Sequence, residues 1–281
     1  MSLRFAFNTN GAGSHRLDDA LLLMSEAGYD GVALTLDYHH LDPFEPDLPA
    51  RAERLSRRLD DLRLGSVIET GARYLLDPRA KHEPTLLTAD PAGRARRVEF
   101  LKTAVDIAAI LGSEAVSFWA GVPKPGVDRA VAAGWLRDGL AQVCAHAERQ
   151  SVVVALEPEP GMLVETVDDY LAVSADALGL RLALDVGHCL VTGERDPAAA
   201  VREFSARLGT VSIEDMRRGE HVHLAFGEGD MDTPGILDAL DAIGFPGLVC
   251  VELSREGHRA DTMIPRALDY LRTCRNGREP A

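Results

Sequence analysis

Short apolar runs alternate with longer amphipathic stretches eight times along the chain, and this alternation constrains the fold more than any other feature. The strand candidates are 3–8, 31–36, 65–69, 115–119, 152–157, 181–185, 210–214 and 247–252. They are rich in β-branched residues and continuously apolar, as strands covered on both faces should be. Helix candidates follow them at 17–27, 49–63, 92–111, 128–149, 166–178, 197–207, 233–243 and 261–273. Asp128, Thr166 and the pair Thr233–Pro234 supply helix-start signals, and the glycines in "EAGYDG" and "AIGFPG" supply stops. Eight βα units in roughly 250 residues fit a single (β/α)8 TIM barrel. An open doubly wound sheet would need a dinucleotide fingerprint, and no GxGxxG follows the first strand. No linker or composition break divides residues 1–275, which leaves 276–281 as a C-terminal tail.

Composition narrows the class of function. No apolar run approaches the roughly 18–20 residues of a membrane span. The N-terminus, "MSLRFAFNTN", lacks the features of a signal peptide, so a cytoplasmic protein is expected. Cys144, Cys189, Cys250 and Cys274 form no CxxC pair and read as reduced, buried small hydrophobes. The net charge of −14 argues against a nucleic-acid partner, since phosphate binding needs a basic footprint.

In such a barrel the active site lies where the strands end. Strand candidates three, five, six, seven and eight reach Glu69, Glu157, Asp185, Glu214 and Glu252, and the fourth ends at Trp119. His188, His221 and His223 follow in the loops after the sixth and seventh. Carboxylates converging on one mouth raise one another's pKa values unless a cation compensates them, and a divalent metal with oxygen and imidazole ligands would do so. The plain alternative is that each acid caps the next helix. Arg217 and Arg218 read equally as a solvated pair or as binders of an anionic or hydroxyl-rich substrate.

These motifs carry a resemblance. "LEPEPG" (156–161), "LDVGH" (184–188), "IEDMRRGEHVHLAFGEGDMD" (213–232) and "VCVELS" (249–254) are similar to the sugar phosphate isomerase/epimerase superfamily. Those xylose isomerase-like barrels include D-tagatose 3-epimerase, inosose dehydratase and endonuclease IV. The resemblance runs over nearly the whole chain and implies a metal held by Glu157, Asp185, residue 212 and Glu252. Residue 212 departs from the pattern, being serine where the family has histidine. Three arrangements stay open: a weaker, more hydrated site; a ligand role for Glu214, on the same side of its strand as Ser212; or a principal site built from His188, His221 and His223. The segment 69–86, "ETGARYLLDPRAKHEPTL", has no role that the residues reveal.

The resemblance implies a metal-dependent isomerase or epimerase (EC 5.1.3 or 5.3.1 type) acting on a sugar, polyol or sugar phosphate through an enediolate. Mn²⁺, Mg²⁺, Co²⁺ or Zn²⁺ would be the cofactor, and Glu157 and Glu252 the acid and base. His188, Arg217, Glu69 and Trp119 would contact substrate. The alternatives are an inosose-type dehydratase, an endonuclease IV-like metal-dependent hydrolase and a degenerate, non-catalytic barrel. The expected partner is a small molecule, with a homo-oligomer compatible and neither nucleic acid nor membrane required.

Overall fold

The computed structural model describes residues 2–275 and 277, so the expected tail at 276–281 lies outside the described residues apart from Gly277. Eight parallel strands close into a barrel: β1 (Arg4–Asn8), β2 (Gly31–Thr35), β3 (Gly65–Glu69), β4 (Val116–Trp119), β5 (Val154–Glu157), β6 (Arg181–Asp185), β7 (Leu208–Ile213) and β10 (Leu248–Val251). Each pairs with its predecessor in this order, and β10 closes onto β1 with Arg4 opposite Leu248. Two short strands, β8 (Asp215–Arg217) and β9 (Glu220–Leu224), form a separate antiparallel hairpin after β7. The helices are α1 (Leu17–Ala27), α2 (Leu48–Leu62), α3 (Pro91–Leu111), α4 (Arg129–Gln150), α5 (Val167–Ser174), α6 (Val186–Thr192), α7 (Pro197–Glu203), α8 (Thr233–Ile243) and α9 (Ala260–Arg275). None is long and apolar enough to cross a membrane among the described residues.

The strand period of two sorts the side chains. Phe5, Phe7, Val32, Leu34, Ile68, Val249 and Val251 join the large core shared with the helices. Ala6, Ala33, Val67, Leu248 and Cys250 make a smaller cluster of their own inside the barrel. Continued toward the strand ends, the second parity delivers Asn8, Thr35, Glu69 and Glu252 to the mouth, where all four line one cavity. The pattern that fills the barrel with small apolar groups thus places polar ones at its open end.

Several helix starts are capped as their sequences predict. Thr166 and Asp169 form a reciprocal capping box, and the side chains of Asp90, Asp128 and Asp232 accept backbone N–H groups. The four cysteines are free and buried. Two helices are shorter than expected, α5 stopping at Ser174 and α7 at Glu203. For α7 the reason is that β7 starts at Leu208, two residues before the expected 210. The early start accommodates a bulge: Leu182 pairs with Leu208 but Ala183 with Thr210, leaving Gly209 as the extra residue. A β-carbon at Gly209 would lie 2.7 Å from that of Arg181 and 2.9 Å from that of Ala155, so glycine is required there. Glu214 and Glu252 fall just beyond their strands.

Candidate active site

Asp185 ends β6 and caps α6 at once. Its Oδ1 accepts the N–H groups of Gly187 (2.8 Å) and His188 (3.3 Å), which satisfies orphan donors of the helix start. Its Oδ2 is buried without a hydrogen-bond partner. The capping and ligand readings of this acid are therefore compatible, because each uses a different oxygen.

One turn into α6, His188 is buried and its Nδ1 stands 2.9 Å from the carbonyl of Pro158. A carbonyl cannot donate, so the proton sits on Nδ1 and the lone pair of a neutral ring is on Nε2. That nitrogen faces Asp185 Oδ2 at 3.4 Å and Glu159 Oε2 at 4.0 Å, and has no partner of its own. Lone pairs directed at one another in a buried place are destabilising unless a cation or proton lies between them.

The β8–β9 hairpin brings in the other two imidazoles. It turns at Arg218–Gly219, where Gly219 has a φ of 77°. Asp215 anchors the hairpin to the following loop by accepting from Gly227 N (2.8 Å) and Met231 N (3.1 Å). His221 then stands 4.7 Å, ring to ring, from His188 and has Nε2 3.6 Å from Glu159 Oε1. His223 lies with Nδ1 3.8 Å from Glu214 Oε2, again without a hydrogen bond. Among the described residues, three groups have donor atoms within 4.8 Å of one another: Glu157–Asp185–His188, Asp185–His223–Glu252 and His188–His221–His223. Asp185 belongs to both mixed groups, one with Glu157 at the end of β5 and the other with Glu252 just after β10. On the β10 side, Glu252 Oε1 accepts from Asn10 Nδ2 at 2.9 Å, which fixes the carboxylate and leaves its other oxygen available.

The electrostatics follow from this crowding. Burial, then the charges of Glu159, Glu252, Asp185 and Glu69, pushes Glu157 well above the ordinary carboxylate range. Burial and Glu252 raise Glu69 in the same way, against a lowering hydrogen bond with Ser117. Burial would also raise Asp185, but His188, His223, Glu214 and the Gly187 N–H outweigh it and hold the carboxylate below its usual value. Burial would lower His223, yet Glu214, Glu252 and Asp185 raise it to about 10, whereas burial and the other two imidazoles lower His221 to about 4. The acids around Asp185 thus attract positive charge.

Glu69, Trp119, Glu157, His188, His221, His223 and Glu252 line one cavity of ≈560 Å³ at the barrel mouth, with Asp185 buried against His188. Arg217 is not among the lining residues. The hairpin turns it to solvent, where it meets Glu220 at 3.9 Å and the Glu228 carbonyl at 3.4 Å. Ser212 is buried, opposite Asp185 on β6 and Cys250 on β10. Glu214 does not line the cavity either; it packs fully buried beside Asp185 and His223. Among the arrangements left open around Ser212, His223 is the residue that joins Asp185 and Glu252. Sequence reasoning missed Asn10 and Glu159. The period-two step from Glu157 to Glu159 was a usable signal, whereas Asn10 sits in a one-turn 3-10 segment after β1 whose direction the sequence does not disclose.

Comparison with known proteins agrees with this architecture. An L-ribulose 3-epimerase of Mesorhizobium japonicum is 29% identical over 252 residues, covering 86% of this chain and 76% of that protein. A 2-oxo-tetronate isomerase of Cupriavidus necator is 24% identical over 156 residues, 53% of this chain and 58% of the relative. The solved structure of an L-ribulose 3-epimerase superposes with a TM-score of 0.77 at 25% identity, covering 98% of this chain and 97% of the other. The sequence profile of one family matches residues 21–274, which takes in seven of the eight barrel strands and every acid and imidazole described above. By that match, the chain belongs to the xylose isomerase-like TIM barrel family.

Proposed function

We propose that this protein is a divalent-metal-dependent isomerase or epimerase of a sugar or sugar derivative. The observation that carries the reading is the convergence of ligand atoms on Asp185, which shares one group within 4.8 Å with Glu157 and His188 and another with His223 and Glu252, while its Oδ2 and His188 Nε2 have no hydrogen-bond partner. Together with Glu157 and Glu252 they offer the oxygen and imidazole ligands that Mn²⁺, Mg²⁺, Co²⁺ or Zn²⁺ accepts. The likeness to an L-ribulose 3-epimerase and a 2-oxo-tetronate isomerase supports sugar chemistry in the same cavity.

When bound, such an ion polarises substrate oxygens and offsets negative charge as it develops. The chain's own residues would do the rest. Glu157 and Glu252 reach the cavity from β5 and the end of β10, strands separated in the barrel by β6 and β7, so a substrate between them presents opposite faces of one carbon to two carboxylates. One removes the proton beside the carbonyl to give the enediolate, and the other returns a proton from its own side. Asn10 holds Glu252 in position, and Trp119 gives the sugar an apolar wall. The Pro158 carbonyl keeps the His188 proton on Nδ1, so that Nε2 faces the reacting groups.

The test is turnover in D₂O with a panel of ketoses, while metal content is followed in parallel. The hydrogen on the carbon beside the carbonyl should exchange with solvent, and Glu157→Gln and Glu252→Gln should each suppress exchange. Product formed at full metal occupancy without solvent deuterium would overturn the proton-transfer mechanism. The group His188–His221–His223 favours a second reading, a two-ion hydrolase, and a metal stoichiometry of two would support it.

A further inference from the structure

Behind the acid floor, the cavity has a cationic rim. Arg73 and Lys81, in the segment after β3, and Arg255, after β10, all line it. None of the three makes an ion pair with a carboxylate among the described residues; Arg73 has only a 3.3 Å hydrogen bond to the Asn10 carbonyl. The chain has 44 acidic residues against 30 basic ones, so carboxylate partners are plentiful. The nearby Glu83, which would suit Lys81, is instead taken by Lys124.

The segment that carries Arg73 and Lys81 is held in a demanding shape. Ala72, Arg73 and His82 have φ values of 62°, 34° and 68°, a region that non-glycine residues rarely adopt. The His82 N–H donates to the Arg73 carbonyl, which sets Lys81 beside Arg73, and the His82 ring packs edge-on to Trp119 at 5.3 Å. Arg97 is fully buried with its guanidinium 4.5 Å from the centre of the Trp119 ring, and donates to the Thr70 carbonyl at 3.0 Å. Burial, and then Lys81, Arg97 and Arg73, push the His82 imidazole below its ordinary value despite the Gly71 carbonyl. Positive charge is thus concentrated in this segment along the cavity that the acids share.

We propose that Arg73, Lys81 and Arg255 form an anion subsite, and that the substrate is a ketose derivative bearing a carboxylate or phosphate group rather than a neutral sugar. This rests on the isomerase reading for the reaction but not for the binding. The acid cluster would engage the uncharged carbonyl end of such a molecule, and the rim its charged end. The subsite also gives the segment 69–86 a task, that of presenting two cations from a fixed loop.

Two measurements test this on the metal-loaded protein. The first is calorimetric titration with inorganic phosphate and with malonate, on wild type and on Lys81→Met and Arg255→Met. Binding of at least one anion is expected, weakened about tenfold or more by each substitution, the loss that follows when one charged hydrogen bond is removed. The second compares kcat/KM for L-ribulose, its 5-phosphate and a ketouronate of similar length, where the charged compounds should be preferred and each substitution should shrink that preference through KM. Tighter phosphate binding with a faster phosphate ester identifies a sugar phosphate; the reverse order identifies a sugar acid. Anion binding that the substitutions weaken, without turnover of any sugar, would keep the subsite and remove the isomerase. Efficient turnover of neutral ketoses with no anion binding, or anion binding that both substitutions leave intact, would overturn the subsite.

Discussion

Replacing Asp185 by asparagine separates the two roles that the structure gives this residue. Asparagine keeps an Oδ1 for the N–H groups of Gly187 and His188, and it caps helices about as well as aspartate. Its amide NH₂ would occupy the place of Oδ2, 3.4 Å from His188 Nε2, and would donate to a nitrogen that now has no partner. That contact contributes about 0.5–1.5 kcal/mol, and against it stands the loss of a carboxylate charge that His188 and His223 stabilise. Metal-free Asp185→Asn should thus unfold within a few degrees of wild type, a smaller change than altering a buried charged residue usually brings.

The metal-loaded proteins should differ further. At a metal concentration about 100 times the wild-type Kd, binding stabilises the native state by roughly 2.7 kcal/mol. Losing an anionic ligand shared by both mixed groups should weaken binding about 100-fold or more, which leaves the variant roughly 0.4 kcal/mol at the same concentration. The difference of about 2.3 kcal/mol corresponds to roughly 5 °C in Tm, at about 2 °C per kcal/mol for a domain of this size. Differential scanning calorimetry of chelator-treated protein, with and without added Mn²⁺, reads both quantities. An undiminished Mn²⁺-dependent rise in the variant would refute the ligand role. A metal-free variant that melts several degrees lower would refute the capping argument.

Two further substitutions test the neighbourhood. If His223 supplies the imidazole that Ser212 does not, His223→Ala should lower metal affinity about tenfold or more, and Ser212→His in that background should recover part of it; equal metal binding in wild type and His223→Ala, followed by calorimetry, would sink the assignment. Gly187 cannot carry a side chain without moving Glu214, because a β-carbon there would lie 2.3 Å from Glu214 Oε1 and 2.8 Å from Met216 Sδ. Gly187→Ala should destabilise the fold by about 1–3 kcal/mol in urea unfolding, and a loss under about 0.5 kcal/mol would show that Glu214 is free to move.

The barrel was legible because its signal is carried by many residues at once. Eight continuously apolar segments, each followed by an amphipathic stretch and several of these with their own start or stop signals, leave little freedom in the number or order of strands. The acids at the strand ends were legible for the same reason, since a period of two, once anchored by Ala6, Ala33 and Val67 inside the barrel, fixes which side Glu69 and Glu252 take. The hairpin was not. Its strands are three and five residues long, and β9, EHVHL, has no residue buried from solvent, so it lacks the apolar pattern by which strands are read. The direction of Arg217 was not legible either, because nothing in "DMRRGEH" tells which way a two-residue turn at Gly219 directs the arginine before it.

The same hairpin bears on how Ser212 is read. Taken along β7 alone, a serine opposite Asp185 looks like the loss of a ligand, and a degenerate site follows. The fold supplies the missing information through Asp215, whose two oxygens tie the start of the hairpin to Gly227 and Met231, and through the absence of a β-carbon at Gly229, where one would lie 2.3 Å from Asp215 Oδ1. These contacts hold β9 over the mouth, and His223 enters the group with Asp185 and Glu252 from above the barrel, eleven residues after Ser212 in the chain. A small side chain at 212 leaves the strand-7 side of Asp185 uncrowded, which an imidazole arriving from the hairpin requires. If His223 is a ligand, the nitrogen donor would come not from a barrel strand but from a two-stranded element tied down by Asp215 and by Asp230, which accepts from the Arg218 N–H. Asp215→Asn should accordingly loosen His223 and weaken metal binding while the eight barrel strands, which make no use of Asp215, stay as they are.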